Sequence, residues 1–400
     1  MATATSQPSD ARTGEERRAL GVASGAHALH DGYTDLIYVL LPIWQGEFGL
    51  SYAEIGLLRG AFAGATAAFQ IPAGWISERL GAATVLAAGT ALAAGAFLWA
   101  GAATGFLLLV VLLLFGGLGS SVQHPIASTV VARAFTGARS RIALGNYNFA
   151  GDVGKMALPA ATALLLTVLD WRTVLAIVAG LGFAAAVVIF LLTPRTERAG
   201  LPGTDEHAGA RGHTPARGGF PILLSIGALD SATRMAFLTF LPFVLVAKGA
   251  SIALVGAALA LVFAGGALGK LVCARFGVWY GVLPTLILTE VLTAVGIAAL
   301  LPLPLWVGFA LLPFVGIALN GTSSVLYGTV PELVAPERHA HAFGVFYTAT
   351  IGSGAIAPAI YGLFSDAFGV PPTMLLIAGV VLATVPLAIL LKPALPPSAA

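Results

Sequence analysis

The sequence predicts an all-α membrane protein in which twelve transmembrane helices form two pseudo-symmetric six-helix bundles. Three observations lead there. The 400 residues are 58% hydrophobic and only 10% charged, with a mean hydropathy of +0.92. A water-soluble domain carries about 25% charged residues and needs them for its surface. Apolar stretches of about 20 residues, the length that crosses a hydrocarbon core, recur along the chain. Finally, a shift of 199 positions brings Gly145 onto Gly344, Pro159 onto Pro358, Arg139 onto Arg338 and Asp31 onto Asp230.

On that length rule the spans fall at 20–44, 52–76, 83–103, 105–132, 142–168, 171–193, 220–247, 253–273, 279–301, 304–330, 341–364 and 371–391. Residues 1–19 are a polar cytoplasmic tail, and the run after them is too long and too polar in its middle for a cleaved signal peptide. Residues 20–193 form an N-terminal bundle, 194–219 a Gly/Pro/Arg/His linker, 220–391 a C-terminal bundle and 392–400 a second tail. Arg79-Leu80-Gly81, after the second span, has an expected counterpart in Arg275-Phe276-Gly277. The lone Cys273 excludes an intramolecular disulfide and a multi-cysteine metal site. No metal or other cofactor is expected. The glycine runs Gly116-Gly117-x-Gly119, Gly151-x-x-Gly154 and Gly265-Gly266-x-x-Gly269 lie within apolar helices. There they allow close helix contact and are not phosphate loops. Without a nucleotide motif or a nucleophile–base arrangement, neither ATP-driven work nor an enzyme is indicated, and the small net charge of +2 gives no reason to expect nucleic acid.

Basic residues set the orientation. With the N-terminus cytoplasmic, inner segments hold fourteen of them: Arg12, Arg17, Arg18, Arg79, Arg133, Arg139, Arg141, Arg195, Arg198, Arg211, Arg217, Arg275, Arg338 and Lys392. Outer loops hold only Arg172 and Lys248. Both termini are therefore expected in the cytoplasm.

Ionisable residues inside a membrane are costly and mark function or pairing. In the first helix His27, Asp31 and Asp35 are spaced by four and share a face, with His30 and Tyr38 near it. Asp31 has no evident partner and is the first choice for a proton carrier. Asp35 either pairs with Arg59 of the second helix or shares the proton role. His27 and His30 either relay protons or only hydrogen-bond. His124 precedes Pro125, which opens its helix locally. Asp152 and Lys155, three apart on the fifth helix, either neutralise each other or hold an anionic group, with Asn148 nearby. Asp230 and Arg234 can pair on the seventh helix. Lys270 can reach the cytoplasm by extending its side chain. Asn320 and Tyr347 lie on the tenth and eleventh helices, and Glu290 sits in the ninth with no evident role.

The segment Gly74-Trp75-Ile76-Ser77-Glu78-Arg79-Leu80-Gly81 resembles the loop signature of the major facilitator superfamily, and Gly145 to Pro159 resembles its glycine-rich, proline-ended motif. Ser24 to Leu50 and Gly117 to Pro125 are similar to the fosmidomycin-resistance branch of that superfamily. The chain departs from these patterns at Ala82, Ala83, Ile126 and Asp152. The resemblance implies a transporter of a bacterial inner membrane, working as a monomer by alternating access to a small-molecule substrate. It also implies that Gly74, Glu78, Arg79 and Gly81 gate the cytoplasmic side. The expected activity is proton-coupled efflux. Asp31, His27, His30 and Asp35 would carry protons. Arg59, His124, Asn148, Asp152, Lys155, Asp230, Arg234, Asn320 and Tyr347 would meet substrate. The alternative is proton-coupled uptake or exchange of a small organic anion, which the buried cations would suit.

Overall fold

The computed structural model describes residues 8–135, 138–194, 218–335 and 338–395. Its helices are α1 (Pro8–Phe48), α2 (Tyr52–Leu80), α3 (Ala82–Ala100), α4 (Phe106–Ser120), α5 (Gln123–Ala134), α6 (Ala138–Leu165) and α7 (Trp171–Leu192) in the first half. The second half holds α8 (Gly219–Ala247), α9 (Ile252–Tyr280), α10 (Val282–Leu300), α11 (Leu305–Thr329), α12 (His339–Phe368), α13 (Val370–Val381) and α14 (Thr384–Leu391). These segments make twelve crossings, because α4–α5 and α13–α14 are each one interrupted span. The interruptions fall at Ser121–Val122 and Leu382–Ala383. Pro125 and Pro386 account for them, since a proline ring clashes with the carbonyl four residues earlier and offers no N–H.

Nine crossings among the described residues are long and apolar enough to span a membrane by composition alone; α1, α2 and α6 are not. Those three carry Asp31, Asp35, Arg59, Asp152 and Lys155. Their charges are kept from lipid by packing against one another and against the second half, as intramembrane charge requires.

Several boundaries differ from expectation. Helix α1 begins at Pro8, so most of the expected tail is helical; residues 1–7 lie outside the described residues, as do 195–217 of the linker and 396–400 of the second tail. Arg195, Arg198, Arg211 and Arg217 fall in that stretch of linker. Helix α9 continues to Tyr280 through Gly277, so Arg275-Phe276-Gly277 is not the counterpart of the α2–α3 turn. That turn is a single residue, Gly81 at φ +88°, and its true partner is Gly281 at φ +89°. Side chains are strained at such φ values, and glycine is not.

The repeat also has two registers. From α1 to α3 the shift is 200: Pro42 matches Pro242, Gly49 matches Gly249, the N-cap Ser51 matches Ser251, and Gly81 matches Gly281. From α4 onward the shift is 199, and Gly117 against the Phe62 carbonyl repeats as Gly316 against that of Val262. The α3–α4 connection is one residue longer than the α10–α11 connection, which absorbs the difference. Asp31 therefore corresponds to Ser231, while Asp230 corresponds to His30.

Glycines report how the halves meet. Near the α1–α2 connection a Cβ on Gly56 would lie 2.2 Å from the Pro358 carbonyl oxygen, one on Gly60 2.4 Å from that of Ala355, and one on Gly362 2.3 Å from that of Tyr52. A Cβ on Gly256 would lie 2.2 Å from the Ala163 methyl. Toward the end that carries both chain termini, Gly74, Gly81, Gly145 and Gly344 have nothing within 4 Å of such a Cβ. Along α2 and α12 the halves thus meet at one end and draw apart toward the other. The two cations placed in outer loops are tied down at the sealed end. Arg172 bonds Glu47 at 2.8 Å, and Lys248 donates to the carbonyls of Leu301 and Leu303, both at 2.7 Å.

Candidate substrate and proton site

The site begins where α1 lies against α6. Gly32, Gly151 and Gly154 make the approach possible: a Cβ on Gly154 would sit 1.9 Å from the Ala28 carbonyl oxygen. One on Gly151 would come within 2.7 Å of Asp31 Oδ2 and His27 Nε2. In the space so left, Asp31 collects three partners. Lys155 Nζ lies 3.3 Å from Oδ2, His27 Nε2 3.3 Å from the same oxygen, and His124 Nε2 3.9 Å from Oδ1. His27 stacks on Tyr147 and takes the edge of His124.

The hydrogen bonds assign one tautomer. His27 Nδ1 lies 2.9 Å from the Tyr147 carbonyl, which can only accept, so Nδ1 carries its hydrogen. Nε2 then faces a carboxylate oxygen. Two bare acceptors at that distance repel, so the contact is favourable only with a proton between them. Ligating atoms of His27, Asp31 and His124 all lie within 4.8 Å of one another, a spacing that suits a metal ion. The Lys155 ammonium, however, already stands at the carboxylate, and its charge opposes a divalent cation.

His30 is elsewhere. Its Nε2 lies 2.8 Å from Thr90 Oγ1, and that hydroxyl gives its only hydrogen to the Leu86 carbonyl. His30 must therefore donate through Nε2, and the bare Nδ1 is buried without a partner. This is a neutral histidine tying α1 to α3, and it is not among the partners of Asp31 with which it was expected.

Other expected pairs are also rearranged. Asp152 does not pair with Lys155. It accepts from Lys270 Nζ at 2.6 and 2.9 Å, which joins α6 of one half to α9 of the other. Lys270 thus crosses between halves rather than reaching for the cytoplasm. No ion pair within 4 Å joins Asp35 to Arg59, or Asp230 to Arg234, among the described residues. Asp35 lies within electrostatic reach of Lys155, Arg59, Asp31 and Arg234. Arg59 is 1% exposed, with its guanidinium over the Tyr38 ring at 4.8 Å, and its Nε and Nη1 find no acceptor. Toward the open end, His124 has a half-exposed side chain and Asn148 is exposed. Asn320 packs on Gly266 of α9, and Tyr347 leans on Tyr327. Of the loop residues, Gly81 makes the α2–α3 turn, Gly74 accepts from Ser77, and Glu78 and Arg79 are exposed.

Two contributors carry no strong sequence signal. Tyr147 supplies the carbonyl that sets the His27 tautomer, and backbone roles leave no trace in side-chain chemistry. Asp366 of α12 accepts from the amides of Tyr52 at 2.6 Å and Ala53 at 3.0 Å, capping α2 across the sealed end.

Two six-helix bundles, parted at one end around ionisable side chains that lipid would not tolerate, are an architecture shared by many membrane transporters. The chain belongs to the Major Facilitator Superfamily, whose family model matches residues 24–228 and 223–400. It is a membrane transporter of small molecules and not an enzyme. It is 27% identical over 147 residues to the Fosmidomycin resistance protein of Escherichia coli, covering 37% of this chain and 36% of that protein. It is 26% identical over 146 residues to a D-galactonate transporter of Escherichia coli, covering 36% and 34%. These matches span about a third of each relative's length. In structure it resembles a bacterial homologue of the human lysosomal transporter Spinster in an inward-facing, occupied conformation. The TM-score is 0.77 at 18% identity, covering 94% of this chain and 96% of that one, a likeness of fold.

Proposed function

We propose that this protein carries a small organic anion across the membrane together with a proton. The contact of Lys155 with Asp31 at 3.3 Å carries the reading. While Asp31 is ionised it holds the ammonium. Protonating Asp31 frees Lys155 for an anion, so proton and anion favour each other's binding, which by linkage is the sign for symport. Arg59 supports it, since a buried guanidinium whose Nε and Nη1 make no hydrogen bond has donors to offer an anion. His124, Asn148, Asn320 and Tyr347 would complete the contacts. The D-galactonate transporter among its relatives handles an organic acid.

In this reading the monomer sits in a bacterial inner membrane with both termini in the cytoplasm, as the excess of basic residues in the inner segments supports. The parted end then faces the cytoplasm. Proton-driven export is a second reading, favoured by the match to the Fosmidomycin resistance protein. It reverses the linkage, because proton and substrate would then compete.

Purified protein in liposomes, loaded with a pH dye and offered a panel of organic acids, separates the two. Symport requires acid uptake to move protons in the same direction, with tighter binding at lower pH. Proton movement opposite to the anion, or binding that weakens as pH falls, refutes it. Asp31→Asn retaining full gradient-driven transport refutes the role given to Asp31.

A further inference from the structure

Glu290 lies within α10, 1% exposed, and neither of its carboxyl oxygens has a hydrogen-bond partner. The charged groups within its reach are Asp230 and Arg234 of α8. Helices α13 and α14, which pack on α10, have no ionisable side chain. Helix α11 adds Tyr327, and α9 adds Lys270, Cys273, Arg275 and Tyr280. None of these five is among the groups within reach of Glu290.

The pseudo-symmetry shows where Glu290 is aimed. In the register of 200, Glu290 corresponds to Thr90 and Asp230 to His30. In the first half those two positions face each other and hydrogen-bond at 2.8 Å. In the second half the same two positions both hold carboxyls, and Asp230 is also buried. Two desolvated carboxylates within reach of each other, with Glu290 lacking any donor, are far costlier than a pair that keeps one proton. One remaining negative charge then balances Arg234, one helical turn from Asp230.

We propose that Asp230 and Glu290 form a carboxyl pair holding one shared proton, a second proton-binding site in the C-terminal half. It takes Asp230 out of the set expected to meet substrate. It does not rest on the role given to Asp31; where both hold, the protein has one proton site in each half.

The test is infrared titration of the purified protein in lipid nanodiscs, reading the C=O stretch of a protonated carboxyl near neutral pH without substrate. The wild type should show the band, and Glu290→Gln, a near-isosteric change, should lose it. Glu290→Asp should keep it. Asp230→Asn should move the pH at which the remaining band titrates, because the two sites titrate as a pair. Asp31→Asn should leave the band in place, which separates this site from the first. Thermal unfolding of each variant confirms that it is folded. A wild type without the band, a band that survives Glu290→Gln, or a titration that Asp230→Asn leaves unmoved would each overturn the pair.

Discussion

Asp366→Ala should shift the protein away from the state described here without harming its fold. Helix α2 caps itself through Ser51 and Glu54, each side chain bonding the other's backbone amide. That box leaves the amides of Tyr52 and Ala53 free, and Asp366 takes both from the opposite half. When the sealed end opens, α2 and α12 part and the carboxylate returns to water. The contact therefore belongs to one state only. Helix caps of this kind contribute about 0.5–2 kcal/mol. At about 1.4 kcal/mol per tenfold, the ratio of the two states should change by roughly 2- to 30-fold. Asp366→Asn keeps one acceptor oxygen and should give a smaller shift. Because the contact faces water, high salt should shrink the effect. Pulsed dipolar spectroscopy between spin labels in the α1–α2 and α8–α9 connections reads the populations directly. Identical distance distributions in variant and wild type would refute this reasoning. So would a lower unfolding temperature with no change in population, which would make Asp366 a cap for the fold alone.

Three further outcomes follow from named contacts. Gly154→Ala drives a methyl into the Ala28 carbonyl, so α1 and α6 must separate; thermal unfolding should report a loss of about 1–3 kcal/mol, while Gly145→Ala should be neutral. His30→Gln should leave the pH dependence of substrate binding intact and His27→Gln should alter it, as binding titrations at several pH values will show. Lys270→Gln removes the cross-half pair with Asp152. With that lysine side chain 40% exposed, the pair contributes less than about 1 kcal/mol, so spin-label distances should change only modestly.

The twelve spans were legible because apolar length is a property of the chain itself, and so was the stripe of α1, because spacing by four is local. Partner choice was not. Lys155 and Asp152 are neighbours on one helix, yet each turns to a different helix, Lys155 to Asp31 on α1 and Asp152 to Lys270 on α9. Which one a side chain meets depends on the rotation of α6 between its neighbours, and that is settled by tertiary packing. The single shift of 199 failed over α1–α3 because one residue added to a connection displaces every ungapped pairing before it. Glu290 had no evident role in the sequence, although a signal for its inward position was present. Thr285, Thr289 and Thr293 recur every fourth residue on α10 and are all buried, so the polar stripe marked the inward face.

Where α2 meets α12, the seal between the halves is peptide backbone against backbone, at Gly56, Gly60 and Gly362. Such a surface is held by shape and short-range dispersion, and Asp366 on the amides of Tyr52 and Ala53 is the polar contact beside it that must be released. Its fit is therefore nearly blind to the side chains elsewhere along α2 and α12. Those helices are free to change their lipid-facing composition, and so to suit membranes of different make-up, while the moving joint stays as it is. The cost falls on three positions that have no room for even one methyl group.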